Sequence, residues 1–353
     1  MNEDAAKGRQ RVLQSVTKGI SASSVGLLSF YPRIGVTGIS RRATGYPPHM
    51  SRLAKFAWAT LVVNVAVVIY GAFVRASGSG AGCGPSWPTC DGEIIPGGLD
   101  GARAVEFTHR VTSALAALMV AVVAIWVLRT FEKGQQIRTA AWLSGIFIIS
   151  ESLVGAVLVL AEWVADDASA ARTVMVPVHL VNTFVLLGSL ALLAWWASGR
   201  GPVRVAGARG FVWYFSASVL GMIVVSATGG VTALADTLFP LESVGEGLSS
   251  ATADAEHFLT RLRVIHPVAA IAIGAFTAWM ALTFGAGAEK RLTQRLAVAI
   301  VGIVVVQFFA GMTNIVLGTP VWLQLIHLAL ADLLWLGLVF FGASTLETEP
   351  VTV

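Results

Sequence analysis

Apolar residues form eight long stretches of this chain, and charged residues are largely confined to the segments between them. Each stretch runs for about 20 residues, the length at which an α-helix crosses the hydrocarbon core of a bilayer. Because a bilayer offers no water to satisfy open backbone groups, we predict helices rather than strands. The predicted spans are 56–74, 107–128, 139–160, 175–197, 211–233, 264–284, 296–317 and 322–343.

The composition agrees with a membrane protein and excludes an ordinary soluble domain. Of 353 residues, 56% are hydrophobic and only 12% are charged, whereas about 25% of residues are charged in a typical globular domain. The net charge of +4 carries little information. We therefore predict an all-α integral membrane protein whose partner is the lipid bilayer, and we expect no nucleic acid partner.

The charge of the connecting segments alternates and so predicts an orientation. Basic residues precede the first span and follow the second, fourth and sixth, whereas acidic residues follow the third and fifth. The basic residues are Arg41, Arg42, Arg52, Lys55, Arg129, Lys133, Arg138, Arg200, Arg204, Arg209, Lys290, Arg291 and Arg295, and the acidic ones are Glu162, Asp166, Asp167, Asp236, Glu242, Glu246, Asp254 and Glu256. By the positive-inside rule both termini are cytoplasmic and the acidic loops face outward.

Residues 1–50 differ from the rest of the chain. They are rich in Ser, Gly, Arg and Lys and have no sustained apolar run, so they lack the core of a signal peptide. We expect a disordered cytoplasmic extension, or an upstream start choice in which Met50 begins the basic lead into the first span. Since no clear transit peptide is present, a bacterial plasma membrane is favoured over a mitochondrial inner membrane.

Four histidines lie near the predicted outer start of the even-numbered spans, namely His109, His179, His266 and His327. An ionisable side chain inside a span is costly, so such residues are candidates for function. At 1.5 Å per residue, all four lie roughly 3–8 Å below the outer boundary. For each histidine taken alone, the alternative is a purely structural role as a hydrogen-bonded residue at a helix interface. Four in register instead indicate two pairs of axial haem ligands.

The two halves of the chain also resemble each other. Phe107-Thr-His109-Arg-Val-Thr-Ser-Ala aligns with Ile265-His266-Pro-Val-Ala-Ala, and the pairs His-Leu at His179 and His327 match. Four spans per half is an even number, so the halves are predicted to be parallel repeats. Each would be a four-helix bundle with a site between facing helices. The predicted bundles are 51–200 and 201–353.

The residues beside the first histidine of each half differ in charge. Glu106 precedes His109 by three residues and Arg263 precedes His266 by three, so each pair shares a helix face. Glu106 could move a proton or stabilise a cation, or it could simply pair with a neighbouring arginine, Arg103 or Arg110. An arginine such as Arg263 suits a haem propionate. We expect the first pocket to react and the second to hold a permanent cofactor.

Other polar residues in the spans are weaker candidates. Glu151 and Asp332 are further acids that could belong to a proton path, although Asp332 is five residues past His327 and should point away from it. Three amides are more simply read as hydrogen bonders between helices, namely Asn182, Gln307 and Asn314.

The first predicted outer loop contains the chain's two cysteines, Cys83 and Cys90, among glycines and prolines. They face the oxidising side, where disulfides persist. The pair is either a structural disulfide or a redox-active one beside the first histidine. No further ligands lie nearby in sequence to support a zinc site.

Over 51–343 these features together resemble the haem A synthase family. The resemblance depends on Glu106-Phe-Thr-His109-Arg110, on the Gly-Ser-Gly-Ala-Gly-Cys83…Trp87-Pro-Thr-Cys90 loop, and on the single histidines of the even spans. In that family the enzyme oxidises a methyl group of haem O to the formyl group of haem A, the cofactor of terminal oxidases. Haem O and haem A would then be substrate and product.

The resemblance also implies roles for individual residues. It assigns His109 and His179 to the iron of the substrate haem, and His266 and His327 to the iron of a resident haem b. It makes Glu106 a catalytic acid acting beside His109, and it makes Cys83 and Cys90 a disulfide. Some members have a second cysteine pair between spans five and six, which this chain lacks. Any role of that pair therefore cannot apply here.

The same resemblance implies partners in cytochrome oxidase assembly, including the haem O synthase (protohaem farnesyltransferase). One sequence identifies neither the electron partner nor the oligomeric state, so a homo-oligomer stays open. The route of oxidation is open too. Either one axial histidine leaves during turnover, or electrons are removed and water adds to the resulting cation.

Two other functions compete with the synthase. A di-haem b-type cytochrome would pass electrons from quinol, but it would normally place its haems on opposite sides of the membrane. A haem transporter or chaperone would not need two differentiated halves. Both alternatives are less compatible with four histidines at one depth and an acid beside only one pair.

Overall fold

The computed structural model describes residues 48–240 and 258–348, and within them the side chains from residue 52 onward. Most of these residues are helical. The helices are α1 (Pro48–Ala76), α2 (Gly101–Thr130), α3 (Gln136–Leu160), α4 (Ala170–Ala197), α5 (Arg209–Leu238), α6 (Phe258–Leu262), α7 (Ile265–Gly285), α8 (Arg291–Val316) and α9 (Val321–Leu346). The predicted extension at 1–50 lies outside the described residues apart from its last three positions.

The eight predicted spans are confirmed as helices. Within the described ranges, eight helical segments are long and apolar enough to cross a membrane, with α6 and α7 together forming the sixth. Several helices begin earlier than predicted, at Gly101 rather than 107 and at Ala170 rather than 175. Hydrophobicity alone misses these first turns because they contain buried charged residues such as Glu106 and Arg172.

The earlier helix starts change where the histidines lie. His109 is eight residues after Gly101 and His179 is nine after Ala170. At 1.5 Å per residue this is about 12–14 Å from the start of each helix, whereas the depth of the histidines below the membrane boundary stays a prediction. Asp236, expected in the loop after the fifth span, lies inside α5 instead. The other acids of that loop, at 242, 246, 254 and 256, lie outside the described residues.

The helices form two neighbouring groups. In the first group, α1 packs on α2, α2 on α3, α3 on α4, and α4 back on α1. In the second group, α5 packs on α7, α7 on α8, and α8 on α9, whereas α5 and α9 touch less extensively. Helix α4 contacts both α5 and α9, which joins the groups. This pattern is compatible with the two predicted bundles, whose symmetry stays a prediction.

The junction between the groups is packed by aromatic side chains. Phe184 on α4 stacks on Trp335 of α9 with ring centroids 5.2 Å apart, and the indole N–H of Trp335 donates to the carbonyl oxygen of Phe184 at 2.7 Å. Gly188 gives the indole room, since a Cβ there would lie 3.4 Å from its nitrogen. A buried tryptophan is stable when its N–H finds such a partner. The junction therefore holds the two groups in fixed register.

Candidate functional site

All four predicted histidines line one cavity of about 1320 Å³ that reaches into both helix groups. Its wall is largely apolar, with a few polar groups from the helices of each group. Pockets for one drug-sized ligand usually measure about 300–1,000 Å³. The cavity is therefore large enough for more than one bulky ligand.

Each histidine packs against a glycine on the preceding long helix. The pairs are Gly71 with His109, Gly155 with His179, Gly229 with His266, and Gly311 with His327. A Cβ would lie 2.9 Å from the His109 ring at Gly71, 3.0 Å from His266 at Gly229, 3.1 Å from His327 at Gly311, and 3.9 Å from His179 at Gly155. At the first three positions, any larger residue would displace the imidazole.

These glycines were not identified from the sequence, although a signal for them exists. Gly71 precedes His109 by 38 residues, and Gly229 precedes His266 by 37. Aligning the halves on their histidines therefore almost aligns these two glycines. The glycines were overlooked because a glycine in an apolar span has many ordinary uses, and only the contact across helices shows which histidine it accommodates.

The geometry of His266 and His327 fits a pair of axial ligands. Their ring centroids are 6.3 Å apart, with the ring planes at 84°. A first-row metal bound to one nitrogen of each ring at about 2 Å needs centroids about 6 Å apart. Nδ1 of His266 lies 3.1 Å from the carbonyl oxygen of Val225, a partner that leaves Nε2 for a metal. This pair therefore fits haem iron.

His327 has a different neighbour. Its Nε2 lies 3.3 Å from the amide nitrogen of Gln307, which also donates to the carbonyl oxygen of His327 at 3.0 Å. Nδ1 of His327 has no hydrogen-bond partner among residues 48–240 and 258–348. Gln307 was predicted as an ordinary hydrogen bonder between helices. The structure confirms that it joins α8 to α9, and it places this amide at a candidate iron ligand.

His179 differs from the other three histidines because a carboxylate lies beside its ring. Nδ1 of His179 is 3.4 Å from Oε1 of Glu151 on α3. Glu151 accepts hydrogen bonds from the hydroxyl of Thr183 and, at 2.5 Å, from the amide of Asn182. Neither Nδ1 of His179 nor Nδ1 of His109 makes a hydrogen bond in the described part of the chain, but only His179 has a carboxylate within 4 Å of its ring there. The two histidines of the first group are thus held differently.

Glu106 is buried at the cavity wall and is held from two sides. Its Oε2 accepts the backbone N–H of Cys83 at 2.8 Å, and its Oε1 accepts from Arg110. The predicted pairing with an arginine is therefore present, and Arg110 is the partner. Arg103 pairs instead with Asp91 at 2.6 Å, on the surface.

The cysteine loop is folded onto Glu106. Cys83 and Cys90 form a disulfide and both side chains are buried. Arg110, besides holding Glu106, donates to the carbonyl oxygens of Ser86 and Thr89 within the loop. The loop, the disulfide and the carboxylate therefore form one unit. We call the end of the helices where this unit lies the disulfide end.

Three arginines line the cavity near the disulfide end: Arg75, which is half-buried, and Arg172 and Arg263, which are buried. Arg263 pairs with Asp236 at 3.0 Å. Arg75 donates to the carbonyl oxygen of Ala233 at 2.6 Å, and so crosses from α1 to α5. Guanidinium groups suit carboxylate ligands because they donate in a fixed fork. Of these three, the sequence pointed only to Arg263. Arg75 is distant from any histidine in sequence, whereas Arg172 precedes His179 by seven residues on the same helix, a signal that was missed.

Asp332 lies apart from this arrangement. Its side chain is buried, but it does not line the cavity, which agrees with the prediction that it points away from His327. Its carboxyl oxygens have no hydrogen-bond partner within 48–240 and 258–348. Asn182, predicted to bridge helices, does so by donating to the carbonyl oxygen of Phe147 at 2.9 Å.

A family model and individual relatives both relate this chain to known proteins. The chain matches the model of the family COX15-CtaA, cytochrome oxidase assembly protein, over residues 54–104 and 98–339. It is 46% identical over 300 residues to a Thermus thermophilus protein named protoheme IX farnesyltransferase. The aligned residues make up 85% of this chain and 49% of that protein. The chain thus spans about half the length of the Thermus relatives that it matches.

Shorter matches join it to proteins named heme A synthase. The identity is 38% over 112 residues with the Geobacillus kaustophilus protein, covering 32% of this chain and 35% of the relative. It is 34% over 114 residues with the Bacillus mycoides protein, covering 31% and 36% respectively.

Proposed function

Because the chain belongs to the cytochrome oxidase assembly protein family COX15-CtaA, and because it resembles proteins named heme A synthase, we propose that it is a haem A synthase. In this proposal the protein oxidises a methyl group of haem O to the formyl group of haem A. The observation that carries the proposal is one cavity with two unequal histidine pairs: Glu106 stands three residues before His109, whereas Arg263 stands at the equivalent position before His266.

The first helix group binds the substrate in this proposal. His109 and His179 approach the cavity from α2 and α4 and hold the iron of haem O. Arg75 and Arg172 lie on the same wall and would bind the carboxylates of the porphyrin. Charge-assisted hydrogen bonds of this kind also fix orientation. A fixed orientation would present one methyl group to Glu106.

The second helix group holds haem b, with His266 and His327 as iron ligands and Arg263 toward its carboxylates. The 6.3 Å spacing of the two imidazole rings supports this assignment. When bound, haem b supplies a one-electron redox centre. The protein residues contribute the two imidazoles, the glycine contacts behind them and a water-poor apolar wall.

Glu106 acts on the substrate side. Oε1 accepts two hydrogen bonds from Arg110, whereas Oε2 accepts one, from the Cys83 N–H, and so has a further lone pair. Through Oε2 the carboxylate can accept a proton from water or stabilise positive charge that develops nearby. A pre-positioned charge costs no reorganisation during the reaction, which is why such groups are effective.

The cellular setting follows from the same proposal. The alternating loop charges support an orientation in a bacterial plasma membrane with both termini cytoplasmic and the disulfide end outside. A haem O synthase would supply the substrate and cytochrome oxidase assembly would use the product. The similarity to proteins named protoheme IX farnesyltransferase covers only half of each of those proteins, so it does not assign prenyl transfer to this chain.

The proposal is tested by expressing the full chain in membranes that contain haem O and identifying the extracted haems by chromatography and mass. We expect haem A, or its alcohol precursor, under aerobic conditions and none with the His179→Ala variant. Aerobic membranes in which the folded protein binds haem b but forms neither product would contradict a synthase and favour a di-haem cytochrome.

A further inference from the structure

The two helix groups place different residues at one equivalent position beside a histidine. Glu151 lies four residues before Gly155 on α3, and Gln307 lies four residues before Gly311 on α8. Both glycines pack against the histidine of the following helix. One helical turn earlier, Glu151 and Gln307 contact those same histidines, through Nδ1 of His179 at 3.4 Å and Nε2 of His327 at 3.3 Å. The framework is shared, but one side chain is a carboxylate and the other an amide.

At this position, only the first group has side chains that donate to a carboxylate. Asn182 and Thr183, three and four residues after His179, both donate to Glu151. The corresponding positions after His327 are Leu330 and Ala331, which have no side-chain donor. Burying a carboxylate is costly unless it is hydrogen-bonded. The carboxylate and its two donors therefore occur together, as a built arrangement rather than an isolated acid.

A carboxylate beside a metal-binding imidazole has a known physical effect. It accepts the proton of the nitrogen that does not bind the metal, fixes the ring orientation, and makes the ligand a stronger donor. His179 has a carboxylate oxygen of Glu151 3.4 Å from its Nδ1, close enough for an ion pair although no hydrogen bond is formed there. His109 has no carboxylate within 4 Å of its ring nitrogens among the described residues. If both histidines hold one iron, the two bonds differ in strength.

We propose that Glu151 is a positioning residue that makes His179 the retained iron ligand of the substrate haem and leaves His109 as the ligand that gives way. This inference rests on the proposed function, since it concerns the haem bound by the first helix group. The face that opens is the one on the side of α2, where Glu106 lies three residues before His109. Of the two oxidation routes left open by the sequence, this arrangement favours the one in which an axial histidine leaves during turnover.

The test measures haem binding and iron coordination rather than product formation. The purified full chain is loaded with haem O, and its affinity, its absorption and electron paramagnetic resonance spectra, and carbon monoxide binding to the reduced form are recorded. Glu151→Gln should lower the affinity for haem O about 10- to 100-fold, and Glu151→Asp should recover part of it. Asp332→Asn, which removes a buried acid away from the cavity, should stay within about twofold of wild type by the same reasoning.

The histidine variants decide which ligand is retained. His109→Ala should keep haem O with a five-coordinate spectrum and bind carbon monoxide readily, whereas His179→Ala should lose haem O more than about 100-fold, beyond the usual effect of a residue that only supports a ligand. The haem b content of every variant reports whether it is folded.

Equal loss of haem O in the two histidine variants, or an unchanged affinity and spectrum in Glu151→Gln, would overturn the inference. Neither outcome depends on haem A, so the proposed function is judged separately. A wild-type protein that makes haem A while Glu151→Gln binds haem O normally would refute only the role of Glu151. A protein that makes no haem A but shows the expected ligand asymmetry would refute only the synthase.

Discussion

The first and second helix groups present their histidines in the same way but surround them with different chemistry. In both groups a glycine on the preceding long helix leaves room for each imidazole. Glu106 precedes His109 where Arg263 precedes His266, and Glu151 contacts His179 where Gln307 contacts His327. Both acids thus belong to the first group. A shared framework can therefore hold similar ligands while the neighbouring side chains decide which of them react.

The largest expected effect is the loss of haem b when one of the two histidine ligands of the second group is removed. Replacing His266 or His327 by Ala removes one of two axial bonds in the second group, so bound haem b should fall to background in the purified protein. The pyridine haemochrome spectrum measures this loss. His109→Ala serves as the matched control because it alters the other group and should leave haem b in place. Depletion of haem b by His109→Ala as well would mean that the groups are not independent.

A smaller effect is expected from the acid of the first group. Glu106→Gln keeps the shape but removes the charge, so haem A formation should fall about 10²- to 10⁴-fold, the usual contribution of a positioned acid or base. Haem b content should be unchanged. Extracted haems, separated by chromatography, report both quantities.

The control for Glu106→Gln is Asp91→Asn, which breaks the ion pair with Arg103 on the same loop. That pair is more than one-third exposed on both sides, and such pairs contribute about 0–1 kcal/mol. Activity near the wild-type level is therefore expected for Asp91→Asn. If Glu106→Gln is equally active, the acid has only a structural role.

The smallest effect concerns the framework that the groups share. Gly71→Ala places a Cβ 2.9 Å from the His109 ring, whereas Gly155→Ala places one 3.9 Å from His179, an ordinary contact. Overpacking costs about 1–3 kcal/mol, so Gly71→Ala should weaken haem O binding about tenfold and Gly155→Ala should not. A haem O titration compares them. Equal affinities would show that the glycine at Gly71 is not needed for ring placement.

Much of the site could be predicted because its residues carry strong local signals. Four histidines in apolar spans stand out, and Glu106 and Arg263 are found from their spacing to a histidine. Arg75 could not be found in this way, since its partners Ala233 and Gln324 are remote in sequence. Arg172 lies seven residues before His179, so its spacing carried a signal that was missed. The apolar stretch of the fifth span ends before Asp236, so this residue was predicted to lie in a loop. In the structure it lies in α5 and pairs with Arg263.

By itself the sequence determined the eight helices, the four histidines and the family, because hydrophobic length and residue type are local properties. Only the tertiary structure decided that all four histidines share one cavity, that Arg110 rather than Arg103 holds Glu106, and that Glu151 lies beside His179. Some of these contacts join residues on different helices, and the contact of Glu106 depends on which of two arginines on its own helix it meets. They depend on how the helices are rotated against each other, which packing fixes and no single stretch of sequence specifies.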